Sequence, residues 1–203
     1  RIRAVNTVVI ASDGTMTGHN TDVTGFMAGF AACGVGLAGK RTVLIGAGGA
    51  ARAALWGLLR SGVSSVCIGV RNLAKGKALC TDFAADGTLA VYCFDDPHFR
   101  DVLCTADIVV QTTPIGMSPQ TDAMPPVDPA VISPSAAVYD LIYTPAETAF
   151  LRAAAANGCT TINGETMLVM QGAEAFSLWT GVRPNTDLMQ RVLREELARR
   201  EGA

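Results

Sequence analysis

The residues best suited to handling a ligand begin at Gly46. Gly46-Ala47-Gly48-Gly49-Ala50-Ala51 forms a GxGxxA run directly after the apolar stretch Thr42 to Ile45 and at the head of an Ala/Leu-rich stretch. A dinucleotide pyrophosphate needs such a pattern: Gly46 permits a tight turn, Gly48 lets the backbone approach the phosphates, and small Ala51 lets helix and strand pack closely. The helix start, with Gly49 and Ala50 in its first turn, offers free N–H groups and the positive end of its dipole. An ordinary glycine-rich turn is the alternative, and the strand-then-helix context favours the dinucleotide. About 20 residues further on, an acidic side chain would hold the ribose of NAD. The chain there reads Val70-Arg71-Asn72-Leu73-Ala74-Lys75, without a carboxylate. Arg71 and Lys75, with Asn72 between them, are placed to meet a 2′-phosphate, so the expected cofactor is NADP in preference to NAD. Two solvated basic residues at a helix start are the competing explanation.

A second group surrounds Asp22. Asn20-Thr21-Asp22 precedes the helix-like run Thr24 to Ala32 and on its own reads first as a helix cap. The positive end of the helix dipole also suits a carboxylate there. His19 is a candidate general base, although nothing in the sequence turns its ring inward. His98 falls in a polar Asp95-Asp96-Pro97-His98 loop and reads as structural or solvated. Gln171 is an amide in a helix otherwise made of Met, Leu, Val, Ala and Phe. Burying it unpaired is costly, so it requires a partner, either a ligand hydroxyl or a backbone carbonyl. Tyr143 follows one strand and Thr112, Thr113 and Gly116 follow another. All four are expected at the carboxyl edge of a sheet, where open α/β folds bind ligands; a packed aromatic and an ordinary turn are the alternatives. Core packing is the usual explanation for Met117 and Met167.

The elements that must position these residues alternate between short β-branched runs and longer Ala/Leu-rich stretches from Lys40 onward, the pattern of βαβ units. Strands are predicted at 41–45, 66–70, 89–94, 107–111, 137–141 and 160–162. Helices are predicted at 49–61, about 74–85, 165–178 and 184–200. Consecutive apolar residues in the strands imply a sheet covered on both faces. A further strand-like run spans 4–10. Between Pro114 and Pro134 the chain is rich in Pro, Asp and Ser and reads as a surface loop over the carboxyl edge. The fold class is therefore α/β: a Rossmann-type doubly wound parallel sheet with a partial α/β substrate-binding domain. Residues 1–22 are expected to belong to that partial domain and 23–164 to the dinucleotide-binding domain. The last helices, 165–203, are expected to return to the partial domain.

Length and composition agree with one whole domain and part of another: 203 residues, 49% hydrophobic. The chain opens at Arg1, within a few residues of its first strand-like run, so a further segment upstream is expected. A formal charge of −2 and the lack of Lys/Arg clusters speak against nucleic acid and anionic membranes as partners and for a small molecule. No apolar run approaches a membrane span and no signal-peptide zones open the chain, so a cytoplasmic protein is expected. The six cysteines carry no CxxC or His spacing, which points to reduced, mostly buried thiols rather than a metal site.

Several short motifs together resemble the shikimate dehydrogenase family. They are Ala4-Val5-Asn6-Thr7, Gly18-His19-Asn20-Thr21-Asp22, Gly46 to Ala53, Thr112-Thr113-Pro114-Ile115-Gly116-Met117, Tyr139-Asp140-Leu141-Ile142-Tyr143-Thr144-Pro145 and Asn163 to Ala173. They occur in the family's order and take in essentially the whole chain. The resemblance implies NADPH-dependent, reversible reduction of 3-dehydroshikimate to shikimate in aromatic amino-acid biosynthesis. Quinate/shikimate dehydrogenase using NAD(P) is the alternative within the family, and a catalytically silent NADP-binding module is the alternative of another class. It further implies that Asn6 and Thr21 bind substrate hydroxyls, that Tyr143 and Gln171 hold the ring from the opposite side, and that Asp22 is one of a catalytic pair. The pair's lysine and a paired-serine motif are expected upstream of Asn6. Gly46, Ala47, Gly48, Gly49, Ala50, Arg71, Asn72, Lys75, Thr112, Thr113, Gly116, Met117, Gly164 and Met167 are expected around the cofactor, and the assembly is expected to be a monomer or homodimer. Departures from the family pattern are Val23 for glycine, Val70 and Gln111 for asparagine, and Thr166 for glycine. With Asp22 in the first turn of its helix, the expected role is to orient the lysine and accept a substrate hydroxyl while the lysine moves the proton.

Overall fold

The computed structural model describes residues 2–201. Arg1, Gly202 and Ala203, at the outer ends of the first and last predicted segments, lie outside the described residues, as does the side chain of Glu201. The chain opens with an antiparallel hairpin, β1 (Thr7–Ile10) and β2 (Met16–His19), followed by helix α1 (Asp22–Ala32). Six parallel strands follow: β3 (Arg41–Ile45), β4 (Ser65–Val70), β5 (Leu89–Cys93), β6 (Ile108–Gln111), β7 (Ala137–Asp140) and β8 (Thr160–Ile162). Helices α2 (Gly49–Arg60), α3 (Leu73–Phe83), α4 (Pro97–Thr105) and α5 (Ala149–Ala156) lie between them, and α6 (Glu165–Thr180) and α7 (Thr186–Glu201) close the chain.

The six strands lie in the order β5-β4-β3-β6-β7-β8. Counted within this sheet alone, that is the 3-2-1-4-5-6 order of a doubly wound dinucleotide-binding fold. Side chains alternate across it as the pleat requires. Leu44, Ile68, Val110 and Tyr139 enter one core with Phe26, Phe30, Leu55, Leu58 and Phe83 from α1, α2 and α3. Val43, Ile45, Val109 and Val138 enter the other with Phe99, Leu103, Phe150 and Leu151 from α4 and α5. Phe26, Phe30 and Tyr139 form an aromatic trio with centroids 5.1–5.3 Å apart, which seats α1 on the sheet.

All six predicted sheet strands are present, with ends within one residue of the expected positions. Three expectations need correction. The helix expected from Thr24 begins two residues earlier, which keeps Asp22 in its first turn as expected and gives the cap position of the alternative reading to Thr21. His98 is in the first turn of α4, not in a loop, because Asp96 accepts from its backbone N and caps the helix with Pro97 following. The cysteines are free but not mostly buried: Cys67 and Cys159 are buried, Cys80 and Cys93 partly so, and Cys33 and Cys104 exposed. The exposed pair lies at the end of α1 and on α4, where no layer covers them.

Candidate functional site

The polar cluster around Asp22 is built by the hairpin and two helices. Asp13 and Gly14 make its turn, with Gly14 at φ +84° and Asp13 accepting from the Thr15 backbone N. Pairing of Thr7 with His19 then brings Asn6 beside the start of α1, and the Asn6 N–H donates to the His19 carbonyl at 3.1 Å. The Asn6 Nδ2 donates to Asp22 Oδ1 at 2.7 Å and to Thr21 Oγ1 at 3.0 Å, and its Oδ1 accepts from the Thr21 backbone N at 2.9 Å. Thr21, at the helix N-cap position, makes no side-chain cap bond. Its buried hydroxyl instead donates to Gln171 Oε1 on α6 at 3.4 Å. The Gln171 Nε2 donates to the Leu168 carbonyl at 3.1 Å, so one end of the amide is held by its own helix and the other faces Thr21. Four side chains from three elements thus meet at one point, where the sequence left both a capping role for Asp22 and a backbone partner for Gln171 open. His19 contributes only its backbone carbonyl to the cluster among the described residues.

The glycine run forms a groove at the carboxyl ends of β3, β4 and β6, between the two halves of the sheet. It measures about 390 Å³ and is lined by Gly46, Ala47, Gly48, Val70, Arg71, Asn72, Lys75, Phe94, Thr112, Thr113, Pro114 and Ile115. Gly46 has φ +113°, and a Cβ there would lie 2.6 Å from Thr112 Oγ1, so the turn accepts only glycine without strain. At Gly48 and Gly49 an added Cβ would meet nothing within 4 Å, so the backbone is bare on the open side. α2 starts from Gly48 without a side-chain cap, which leaves its first N–H groups directed outward. The groove's lining contains two cations, Arg71 and Lys75, and no carboxylate. Asn72 caps α3 by accepting from the Lys75 backbone N at 3.1 Å, fixing the loop that carries both cations. Bare amides at a helix start and a basic rim suit a pyrophosphate and a further phosphate. Among the described residues no three His, Cys, Asp or Glu side chains gather as a metal site.

Between cluster and groove the loops after β6 and β7 are tied together. Gln111, fully buried, accepts from the Thr113 backbone N at 2.6 Å and donates to the carbonyls of Thr113 and Ile115. Asp140, also fully buried, accepts from the Ile142 backbone N at 3.1 Å and from the Thr148 hydroxyl at 2.8 Å. Burial pushes its carboxyl up to about 6, and those two hydrogen bonds pull the other way. The Ser118 N–H donates to the Thr144 carbonyl at 2.9 Å, joining the two loops.

Of the residues expected at the site, Asn6, Thr21, Asp22 and Gln171 come together, and Gly46, Ala47, Gly48, Arg71, Asn72, Lys75, Thr112 and Thr113 line the groove. Gly49 and Ala50 form the first turn of α2 behind it. Tyr143 stands on the loop after β7, exposed, and makes no hydrogen bond to the Asn6 cluster among the described residues. Gly116, at φ +97°, and exposed Met117 continue the loop beyond the groove's lining. Gly164 abuts the Leu141 carbonyl, and Met167 is buried in the same core as the aromatic trio. Sequence reasoning missed Phe94, Pro114 and Ile115 in the groove and the hairpin that places Asn6. The Asp-Gly pair at 13–14 was the available signal for the hairpin.

These features agree with what the chain is similar to. Residues 31–117 match the family described as shikimate / quinate 5-dehydrogenase, and residues 164–194 match the shikimate 5'-dehydrogenase C-terminal domain. A shikimate dehydrogenase (NADP(+)) of Moorella thermoacetica is 41% identical over 204 residues, covering 100% of this chain and 68% of that protein. The crystal structure of shikimate 5-dehydrogenase from Listeria monocytogenes, in complex with shikimate and NAD, superposes with a TM-score of 0.87 at 31% identity over 95% of this chain and 68% of its own. That of the Thermus thermophilus enzyme, in complex with NADP(H) and shikimate, gives 0.80 at 35% identity over 98% and 69%. With the motifs, the strand order and the groove all in agreement, the chain belongs to the shikimate dehydrogenase family.

Proposed function

We propose that this protein is an NADP-dependent shikimate dehydrogenase, reducing 3-dehydroshikimate to shikimate reversibly within aromatic amino-acid biosynthesis. The observation that carries the proposal is the meeting of Asn6, Thr21, Asp22 and Gln171 in one hydrogen-bonded cluster. Asn6, Thr21 and Gln171 offer amide and hydroxyl groups to a polyhydroxylated ring. Asp22 has one oxygen engaged by Asn6, and its other oxygen can accept from a ring hydroxyl and orient an ammonium. That ammonium is the lysine expected upstream, which moves the proton at the substrate oxygen. When bound in the groove, NADPH supplies the hydride. Gly46 to Ala50 receive the pyrophosphate, Arg71 and Lys75 the 2′-phosphate, and the loop Thr112 to Met117 borders the nicotinamide end. Tyr143 closes over the ring from the β7 side, with Gly164 and Met167 supporting that wall.

Residues 1–22 and 165–203 form one unit with the upstream segment in this reading. Two contacts support it: the Trp179 Nε1 donates to the Val8 carbonyl at 2.9 Å, and Gln171 meets Thr21. Val5, Val8, Ile10, Met16, Trp179 and Val182 are exposed, giving such a unit an apolar face to build on. A cytoplasmic monomer or homodimer accompanies the proposal, and light scattering tests the assembly.

The test is initial rates with shikimate and with quinate, each with NADP and NAD, on the protein carrying its upstream segment. A higher specificity constant for shikimate with NADP is expected. A preference for quinate with NAD moves the assignment to quinate/shikimate dehydrogenase, and cofactor binding without turnover moves it to a silent NADP-binding module. Asp22→Asn should lose most turnover; near-full activity removes Asp22 from the chemistry.

A further inference from the structure

The loop that forms the far wall of the groove has no regular structure of its own, since β6 ends at Gln111 and the next element is a short 3-10 turn at Pro129–Val131. One side chain makes three of the hydrogen bonds that hold it. Gln111 is the last residue of β6 and fully buried, at a position where the rest of the strand is Ile108, Val109 and Val110. Its amide turns back along the loop, accepting from the Thr113 N–H at 2.6 Å and donating to the carbonyls of Thr113 at 3.0 Å and Ile115 at 3.1 Å. Thr112, between them, is held the other way, its hydroxyl donating to the Ile45 carbonyl at 2.7 Å. Thr112, Thr113 and Ile115 all line the groove, on the opposite side from Arg71 and Lys75.

We infer that Gln111 is a positioning residue for the cofactor. Its buried amide sets the curve of the 112–116 loop and so the fit of the nicotinamide half, while the adenosine half is held by a separate set of residues. The inference rests on the cofactor reading proposed above. No alternative partner for the three loop groups lies on the side chain of an apolar residue, so replacing the amide leaves an N–H and two carbonyls to find water or move. The loop then relaxes, and Thr113 and Ile115 shift with it.

Calorimetric titration of this chain with NADPH and with adenosine 2′,5′-bisphosphate separates the two halves of the cofactor. Gln111→Leu should weaken NADPH about tenfold or more and leave the bisphosphate within about twofold. Gln111→Asn, which keeps an amide on a shorter stem, should fall between the two, with thermal melting recorded for each variant. Unchanged NADPH affinity in the Leu variant overturns the inference, as do equal losses for both ligands, the mark of general damage, or an Asn variant no better than Leu. Wild-type protein that binds neither molecule overturns the cofactor reading itself and the inference with it.

Discussion

Gly25 on α1 is the position where a single methyl group should cost the most turnover without touching a ligand. A Cβ added there would overlap the Met167 carbonyl oxygen of α6 and lie 3.0 Å from the Gln171 Cβ and 3.1 Å from its N. Carbon and carbonyl oxygen settle no closer than about 3.3 Å, so α1 and α6 must part by roughly 1 Å. The Thr21 to Gln171 hydrogen bond is already 3.4 Å long and does not survive that movement. Misplacing substrate-binding groups by about that distance costs on the order of 10²-fold. Gly25→Ala in the protein with its upstream segment should therefore lower kcat/KM for shikimate about 10²-fold. Overpacking should also remove roughly 1–3 kcal/mol of stability, about 2–12 °C in a melt of a protein this size. NADPH affinity should stay within about twofold, because the groove lies on other elements. Gly172→Ala is the control: the nearest atom to its Cβ, Met189 Cε, is 3.9 Å away, so the methyl fits. A Gly25→Ala protein that melts and turns over like the wild type refutes the claim that helix spacing sets this site, as does a Gly172→Ala protein equally impaired.

The Tyr139 hydroxyl is buried without a hydrogen-bond partner among the described residues, so Tyr139→Phe should raise stability by about 1 kcal/mol in denaturant unfolding; a loss of that size means the hydroxyl is paired. Arg71→Ala should weaken NADPH about tenfold and leave NADH unchanged, the difference shrinking in salt, and equal losses for both cofactors reject contact with a 2′-phosphate. Asp140 titrates at about 6 in the fold against an ordinary value of 3.8, so the folded state holds its proton more tightly than the unfolded chain. Its contribution is favourable below the lower value and is lost as pH rises through the upper, about 3 kcal/mol in all. Asp140→Asn should therefore gain on the wild type between about pH 4 and 7 in urea melts. A difference that stays flat across that range refutes the titration.

The sheet was legible because its central strands are buried on both faces and read as apolar runs, such as Val43 to Ile45 and Ile108 to Val110. The glycine turn was legible because the backbone demands at Gly46 admit few other residues. Two helices were missed for opposite reasons. α4 is only nine residues long, mixes charged and polar residues with Phe99, Val102 and Leu103, and announces itself mainly by its Asp96-Pro97 start. α5 is largely alanine, whose burial follows from where the strands place it rather than from any period. The cluster's members were named from family motifs, but their contacts were not readable. Asn6 and Thr21 are 15 residues apart and Thr21 and Gln171 are 150, and only the hairpin and the α1–α6 packing bring them together. Gln111 was visible as a departure from a family pattern, yet nothing local shows that a strand-end amide folds back on its own loop.

The two halves of the site are therefore stabilised by different physics. On the substrate side, α1 carries Asp22 in its first turn, lays Gly25 against α6, and buries Phe26 and Phe30 against Tyr139 of the sheet. Gly29 reinforces the arrangement, since any side chain there would run into the Tyr139 ring. The spacing of Thr21 from Gln171 is thus fixed by close-packed groups that have no second arrangement of similar volume. On the cofactor side, Thr113 and Ile115 depend on hydrogen bonds from a single buried amide. Substitutions that change volume should act on the first, and those that change polarity without changing volume should act on the second. Gly25→Ala and Gln111→Leu are one of each, and they sit on separate elements without shared partners, so their free-energy effects should add within about 0.5 kcal/mol in the double variant. Strong coupling between them would show that α1 and the 112–116 loop move as one body, and the division drawn between packing and hydrogen bonding would fall.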